Sequence, residues 1–220
     1  MRLYLASSRL DDNFPELLTM SGRGGRAAVI SNAVDFIPDD ERRAYERTVF
    51  DPVGHFRDLG YDAFDLDLRR SFGKPQELAE RLRDVGLVWV VGGNAFLLRR
   101  AMRQSGFDRL ISDLLAEDRL VYGGWSAGAV VAGPDLRGID LMDDPRVLTV
   151  GYEPEICWSG LGLIQTRIVP HYKSDHPEAP DADRVVTRML SDGTPHVALR
   201  DGEALIVNGE QVGVRPAISS

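Results

Sequence analysis

Short apolar runs alternate with longer charged stretches through the first half of the chain. LYLAS (3–7), AAVISN (27–32), DAFDLDL (62–68), LVWVVGG (87–93) and LVYGG (120–124) predict strands. They are rich in β-branched or aromatic residues and close on small or polar ones. Between them, DDERRAYERTVFDPVGHFRDLG (39–60), PQELAERLRDVG (75–86) and NAFLLRRAMRQSGFDRLISDLLAED (94–118) carry helical spacing. Pro75 and Gly60 sit where a helix start and a helix stop are expected. This alternation implies βαβ units, and so an α/β fold with a mostly parallel central sheet flanked by helices on both faces.

The pattern changes in the second half. LGLIQTRIVPHY (161–172) predicts a strand running into a loop, and APDADRVVTRMLSDG (179–193) a helix with Gly193 just past its end. HVALRDGEALIVNGEQVGV (196–214) reads as C-terminal antiparallel strands with Asn208-Gly209 as a hairpin turn. Residues 133–160, rich in Gly, Pro and Asp, read as a long excursion near a site. No repeat or low-complexity linker interrupts the chain, so residues 1–220 read as a single domain.

Composition narrows the function classes. A net charge of −8 argues against a nucleic acid or an anionic membrane as the main partner. One cysteine, Cys157, excludes an internal disulfide framework and a cysteine-based metal site, which fits a cytoplasmic protein. The N-terminal run MRLYLASSRL is too short for a signal-peptide core or a membrane span and reads as a first strand.

Ligands gather at the carboxyl ends of the strands in such sheets. There, Gly124-Trp125-Ser126-Ala127-Gly128 fits G-x-S-x-G between a strand and a helix start. A nucleophile on so sharp a turn leaves no room for side chains two residues to either side. The helix start also offers the Ala127 N–H to an oxyanion. Gly92-Gly93-Asn94 makes a second glycine turn, either a further oxyanion donor with Asn94 holding substrate, or a plain turn capped by Asn94.

Ser126 needs a base. His55 lies within a helical segment and His196 opens a late strand, both suited to structural roles. His171 follows a strand and Pro170, so it can reach the same sheet edge, with His176 behind it as the second choice. Asp140, Asp143, Asp144, Asp201 and Glu203 are all available to orient the imidazole, and each could equally be a solvated loop carboxylate.

Taken in order, VVGGNAFLLRRAM, LVYGGWSAGAVVAGPDL, IVPHYKSDHPE and ALRDGEALIVNGE resemble the peptidase E group of serine peptidases. That group includes aspartyl dipeptidase and cyanophycinase and has a class-I glutamine-amidotransferase-like fold. The resemblance spans roughly residues 1–210 in element order. It implies Ser126 as nucleophile, His171 as base, Gly93 and Ala127 as oxyanion donors, and Asn94 beside the substrate. For the acid it implies Asp201, in a turn that aligns without gaps, with Asp140 as the alternative. Ala95, Val169 and Tyr172 depart from the family's usual residues. The arginine that reads an N-terminal aspartate has Arg184 as its nearest counterpart, with Arg137 and Lys173 as other candidates for a substrate carboxylate.

The implied activity is hydrolysis of small peptides, dipeptides with N-terminal aspartate foremost, with no metal or organic cofactor and with a homodimer as a possible assembly. A carboxylesterase with the same elbow is the rival enzyme; it normally places its acid before the histidine. A ligand-binding module on the same fold is the rival outside enzymes.

Overall fold

In the computed structural model of the chain, residues 1–8, 14–22 and 24–216 are described. The predicted parallel sheet is present. Strands β1 (Arg2–Ala6), β2 (Arg26–Ile30), β3 (Asp62–Asp65), β4 (Val85–Val90) and β5 (Val121–Trp125) run parallel in the order β3-β2-β4-β5-β1. Helices connect them: α1 (Phe14–Ser21), α2 (Asp39–Thr48), α3 (Pro52–Asp58), α4 (Pro75–Arg81), α5 (Ala95–Ser105) and α6 (Phe107–Ala116).

Successive strand residues serve opposite faces. Leu3, Leu5, Val88 and Val90 join one buried layer, under α5 and α6, while Tyr4, Ala6, Leu87 and Trp89 join the other. Burial on both faces is why these strands read as nearly continuous apolar runs. The Ser126 elbow follows β5, and the short helix α7 (Ala127–Val130) leaves it directly.

Beyond Val130 the chain makes β6 (Arg167–Val169), α8 (Ala179–Ser191), β7 (His196–Ala198), β8 (Ala204–Asn208) and β9 (Gln211–Arg215). β8 pairs antiparallel with β1, and β9 with β8, across the turn at Asn208-Gly209 where Gly209 has φ 62°. β7 does not join that antiparallel array. It pairs in parallel with β6 as a separate two-stranded sheet, because α8 forms the crossover between them.

Three predicted elements are shorter than their patterns. The segment 39–60 divides into α2 and α3 ahead of Pro52, which lacks an N–H and disfavours helix in the residue before it. The segment 94–118 divides at Gly106, whose φ of 77° ends α5 and opens α6. Within 161–172, Leu161, Gly162 and Leu163 turn their amides back to Val131, Gly133 and Ala132, so the strand begins only at Arg167.

The excursion 133–160 is a built structure lying over α5. The buried Arg100 guanidinium donates to the carbonyls of Pro145, Val147, Pro154 and Glu155, and Asp135 bridges to Ser159. No described residue of this excursion lines the cleft beside Ser126, whose wall comes instead from residues between 31 and 52.

Candidate active site

Close packing dictates the elbow. A Cβ on Gly128 would overlap the Val90 carbonyl oxygen, and one on Gly124 would lie 2.8 Å from that same oxygen. Glycine at both positions lets α7 press onto β4 and β5. Between them Ser126 takes φ 49° and ψ −118°, a strained conformation for a residue with a side chain. Its N–H is shared by the carbonyls of Ala6 and Ser7, both at 3.1 Å, which ties the elbow to the end of β1.

The second glycine turn faces the elbow. Gly93 has φ 137°, and a Cβ there would sit 2.6 Å from the Ala33 carbonyl oxygen. Gly93 lines the same cleft as Ser126. Ala127, as the first residue of α7, has an N–H with no acceptor inside its own helix.

His171 is buried and follows β6, held in the left-handed region at φ 60°. Its Nδ1 lies 2.8 Å from Asp201 Oδ1, in the turn before β8. Burial pushes the Asp201 carboxyl up, but hydrogen bonds from His171 and Ser7 outweigh it and leave it below the ordinary carboxylate range. A charged Asp201 accepts a hydrogen bond from the His171 Nδ1–H, a tautomer that leaves Nε2 as the nitrogen with the lone pair. The His176 ring stacks on His171 with centroids 3.7 Å apart, and Glu178 Oε2 is 3.8 Å from His171 Nε2. Burial and the neighbouring His171 hold His176 below the usual histidine value. His171, His176 and Glu178 could together offer ligand atoms to a cation, since all three lie within 4.8 Å of one another.

Ser126, His171, Asp201 and Gly93 therefore share one cleft of about 760 Å³. Its outer wall includes Glu41, Arg42, Tyr45 and Glu46 of α2, with Phe50 beyond them. Arg42 anchors this wall through Asp35, at 3.2 Å. Asp35 is in turn bonded to Asn32 at 2.7 Å and Tyr152 at 2.5 Å. None of these wall residues stands out in the sequence, because α2 reads as a polar, solvated helix.

Two expected substrate contacts and the alternative acid lie elsewhere. Asn94 caps α5 by accepting the Leu97 N–H at 2.9 Å, and its Nδ2 donates to the Asp144 carbonyl at 3.0 Å. Both ends of its amide are engaged in these bonds, which is the capping role for Asn94 and leaves the Gly93 N–H out of account. Arg184 sits on the exposed side of α8 and pairs with Asp181 at 2.7 Å, away from the cleft. Asp140 accepts the Gly138 N–H at 2.9 Å in its own loop, whereas the partner on His171 Nδ1 is Asp201. Of the two remaining cations, Arg137 lies outside the cleft wall, and Lys173 rests 5.0 Å over the Tyr172 ring.

A strained serine elbow and an Asp-bonded histidine line one cleft at the carboxyl edge of a parallel sheet, an arrangement that fits a serine hydrolase of α/β architecture. The profile of peptidase family S51 matches residues 8–215, and the chain belongs to that family of serine-type peptidases. An uncharacterized peptidase of Listeria innocua serovar 6a is 29% identical over 70% of this chain and 69% of its own. Peptidase E of Streptomyces coelicolor is 28% identical over 88% of this chain and 79% of its own. A crystal structure of a provisionally assigned peptidase E protein from Listeria monocytogenes EGD-e superposes with a TM-score of 0.78. It is 25% identical and covers 98% of both chains. Among the described residues, no helix is long and apolar enough to cross a membrane.

Proposed function

We propose that the chain hydrolyses short peptides, with dipeptides carrying an N-terminal aspartate as the preferred class, by acyl transfer through Ser126. His171 Nε2 takes the Ser126 proton as Oγ attacks the scissile carbonyl. The Gly93 and Ala127 N–H groups receive the oxyanion, each contributing about 3 kcal/mol by comparison with other acyl-transfer sites. His171 then protonates the leaving amine, and water, deprotonated by the same imidazole, releases the acid from Ser126. Asp201 holds the imidazole tautomer and balances the imidazolium.

The observation that carries this reading is the 2.8 Å His171–Asp201 pair facing the same cleft as the strained Ser126. The acid follows the histidine in the chain, contrary to the usual carboxylesterase order. The substrate class rests on the resemblance to peptidase E and on the charges of the wall. Arg42 is the lysine or arginine among the described lining residues, set against Glu41, Glu46 and Glu178. An N-terminal aspartate brings both an ammonium for the carboxylates and a carboxylate for Arg42.

The test compares Asp-X dipeptides, other dipeptides and a p-nitrophenyl ester on the parent protein and on Ser126→Ala. Ser126-dependent cleavage with Asp-X first is expected. Equal turnover of all dipeptides removes the aspartyl preference. Turnover of the ester alone removes the peptide reading, and no Ser126-dependent turnover removes the mechanism.

A further inference from the structure

Ser7 ends the first strand region and is fully buried, yet its polar atoms are shared among all three segments that carry the reacting groups. Its hydroxyl oxygen accepts the His171 backbone N–H at 2.7 Å. That leaves the hydroxyl proton two acceptors, Asp201 Oδ1 at 2.8 Å and the Leu199 carbonyl at 3.2 Å. The shorter contact to a charged oxygen takes it. The Ser7 carbonyl is one of the two acceptors for the Ser126 N–H, and the Ser7 N–H donates to Glu203 O at 3.0 Å.

We propose that Ser7 is a positioning residue of the hydrolysis, joining the nucleophile, base and acid segments through one side chain and one peptide unit; this rests on the roles given above to Ser126, His171 and Asp201. Two of its contacts act where the site is least self-supporting. His171 occupies a left-handed backbone conformation that residues with a Cβ resist, and its N–H is secured by Ser7 Oγ. Asp201 Oδ1 receives the Ser7 hydroxyl and His171 Nδ1 together, so the hydroxyl fixes which carboxylate oxygen faces the imidazole. It also favours the charged carboxylate that the imidazolium needs in the transition state. Ser174 supports the same turn by accepting the Asp201 N–H at 2.8 Å.

A residue acting this way sets the reactivity of the site and leaves the cleft wall intact. Ser7→Ala is expected to lower kcat by about 10- to 100-fold, the scale of loss when reacting groups are slightly misplaced, with KM nearly unchanged. Labelling of Ser126 by a fluorophosphonate, which needs no peptide contacts, should slow in the same proportion. In an Asp201→Asn background, Ser7→Ala should cost little more, because the two residues act as one unit. Ser7→Thr, which keeps the hydroxyl, should recover most of the rate where its methyl is accommodated. Should Ser7→Ala fail to fold, Ser7→Cys, similar in shape but a weak donor, carries the same comparison. An unchanged kcat, a loss confined to KM, or an undiminished loss in the Asp201→Asn background would each overturn the proposal. Ser126→Ala run in parallel keeps the two ideas apart. If it leaves turnover intact, the nucleophile assignment fails. If it abolishes turnover while Ser7→Ala does not lower kcat, only the role of Ser7 fails.

Discussion

Replacing Asp143 with asparagine isolates one carboxyl that folding has made hard to ionise. Asp143 Oδ2 accepts the Ala95 N–H at 2.9 Å at the start of α5. Burial pushes the carboxyl up to about 7; Glu178 adds to the rise, while the Ala95 amide and His171 oppose it less strongly. In the unfolded chain an aspartate titrates near ~3.9. Between about pH 4 and pH 7 the unfolded chain therefore gives up a proton that the folded chain keeps, so stability falls as pH rises through that window. A gap of roughly three pKa units sets a ceiling of about 4 kcal/mol for the loss. Asp143 keeps part of its surface in water, which relaxes around the charge, so about 2 kcal/mol is the working figure. Asparagine keeps an oxygen for Ala95 and removes the titration. Relative to the parent, Asp143→Asn should thus gain about 2 kcal/mol between pH 4 and pH 8.5, equivalent to roughly 4–8 °C in Tm for a chain of this size. Parallel urea unfolding of both proteins at the two pH values reads this difference, and groups common to both proteins cancel to first order. A pH-independent difference, or a variant that loses ground at pH 8.5, refutes the reasoning.

Three further outcomes are expected. Asp201→Asn should lower kcat on a cleavable dipeptide by about 10⁴-fold, as the corresponding change does in other triads. Asp140→Asn, which keeps an acceptor for Gly138, should stay within about twofold of the parent; steady-state kinetics on both variants decide it, and loss in the Asp140 variant alone would reassign the acid. Gly128→Ala drives a methyl into the Val90 carbonyl and should cost about 1–3 kcal/mol while slowing fluorophosphonate labelling of Ser126 two residues away. Parent-like Tm and labelling in that variant would show that α7 does not need its close approach to β4.

The sheet is legible in the sequence wherever a strand is buried on both faces. Tyr4 and Leu5 go to opposite layers, as do Val88 and Trp89, so the runs stay apolar throughout and contrast with the charged helices between them. Where the pattern over-reads, a competing local interaction wins. LGLIQ looks like the front of a strand, yet its amides bond back to the 131–133 turn, where Gly160 packs so closely on Gly133 that a Cβ would overlap the Gly133 carbonyl. The helix Phe14–Ser21 is missed because a single buried pair, Leu17 and Met20, is too little periodicity to register in eight residues.

The site divides the same way. Ser126, His171 and Asp201 each lie within three residues of a strand end, so the topology can bring them to one cleft, and sequence motifs name all three as candidates. The wall proposed to read the substrate is delivered differently. Arg42 and Glu46 belong to a helix with no buried residue, and nothing in DDERRAYERT tells a cleft face from a solvent face. What turns α2 inward is the Asp35 carboxylate, bonded to Asn32, Arg42 and the distant Tyr152, a contact spanning more than a hundred residues of chain. Proximity along the chain misleads for the same reason. Arg184 is close to His171 in sequence but rides the outer face of α8, while Arg42 is far from it in sequence and lines its cleft. On the proposed reading, the reacting groups are set by short-range geometry at strand ends and substrate choice by a long connection pinned at Asp35. Substitutions in 31–52 are accordingly expected to change what is cleaved without disturbing how.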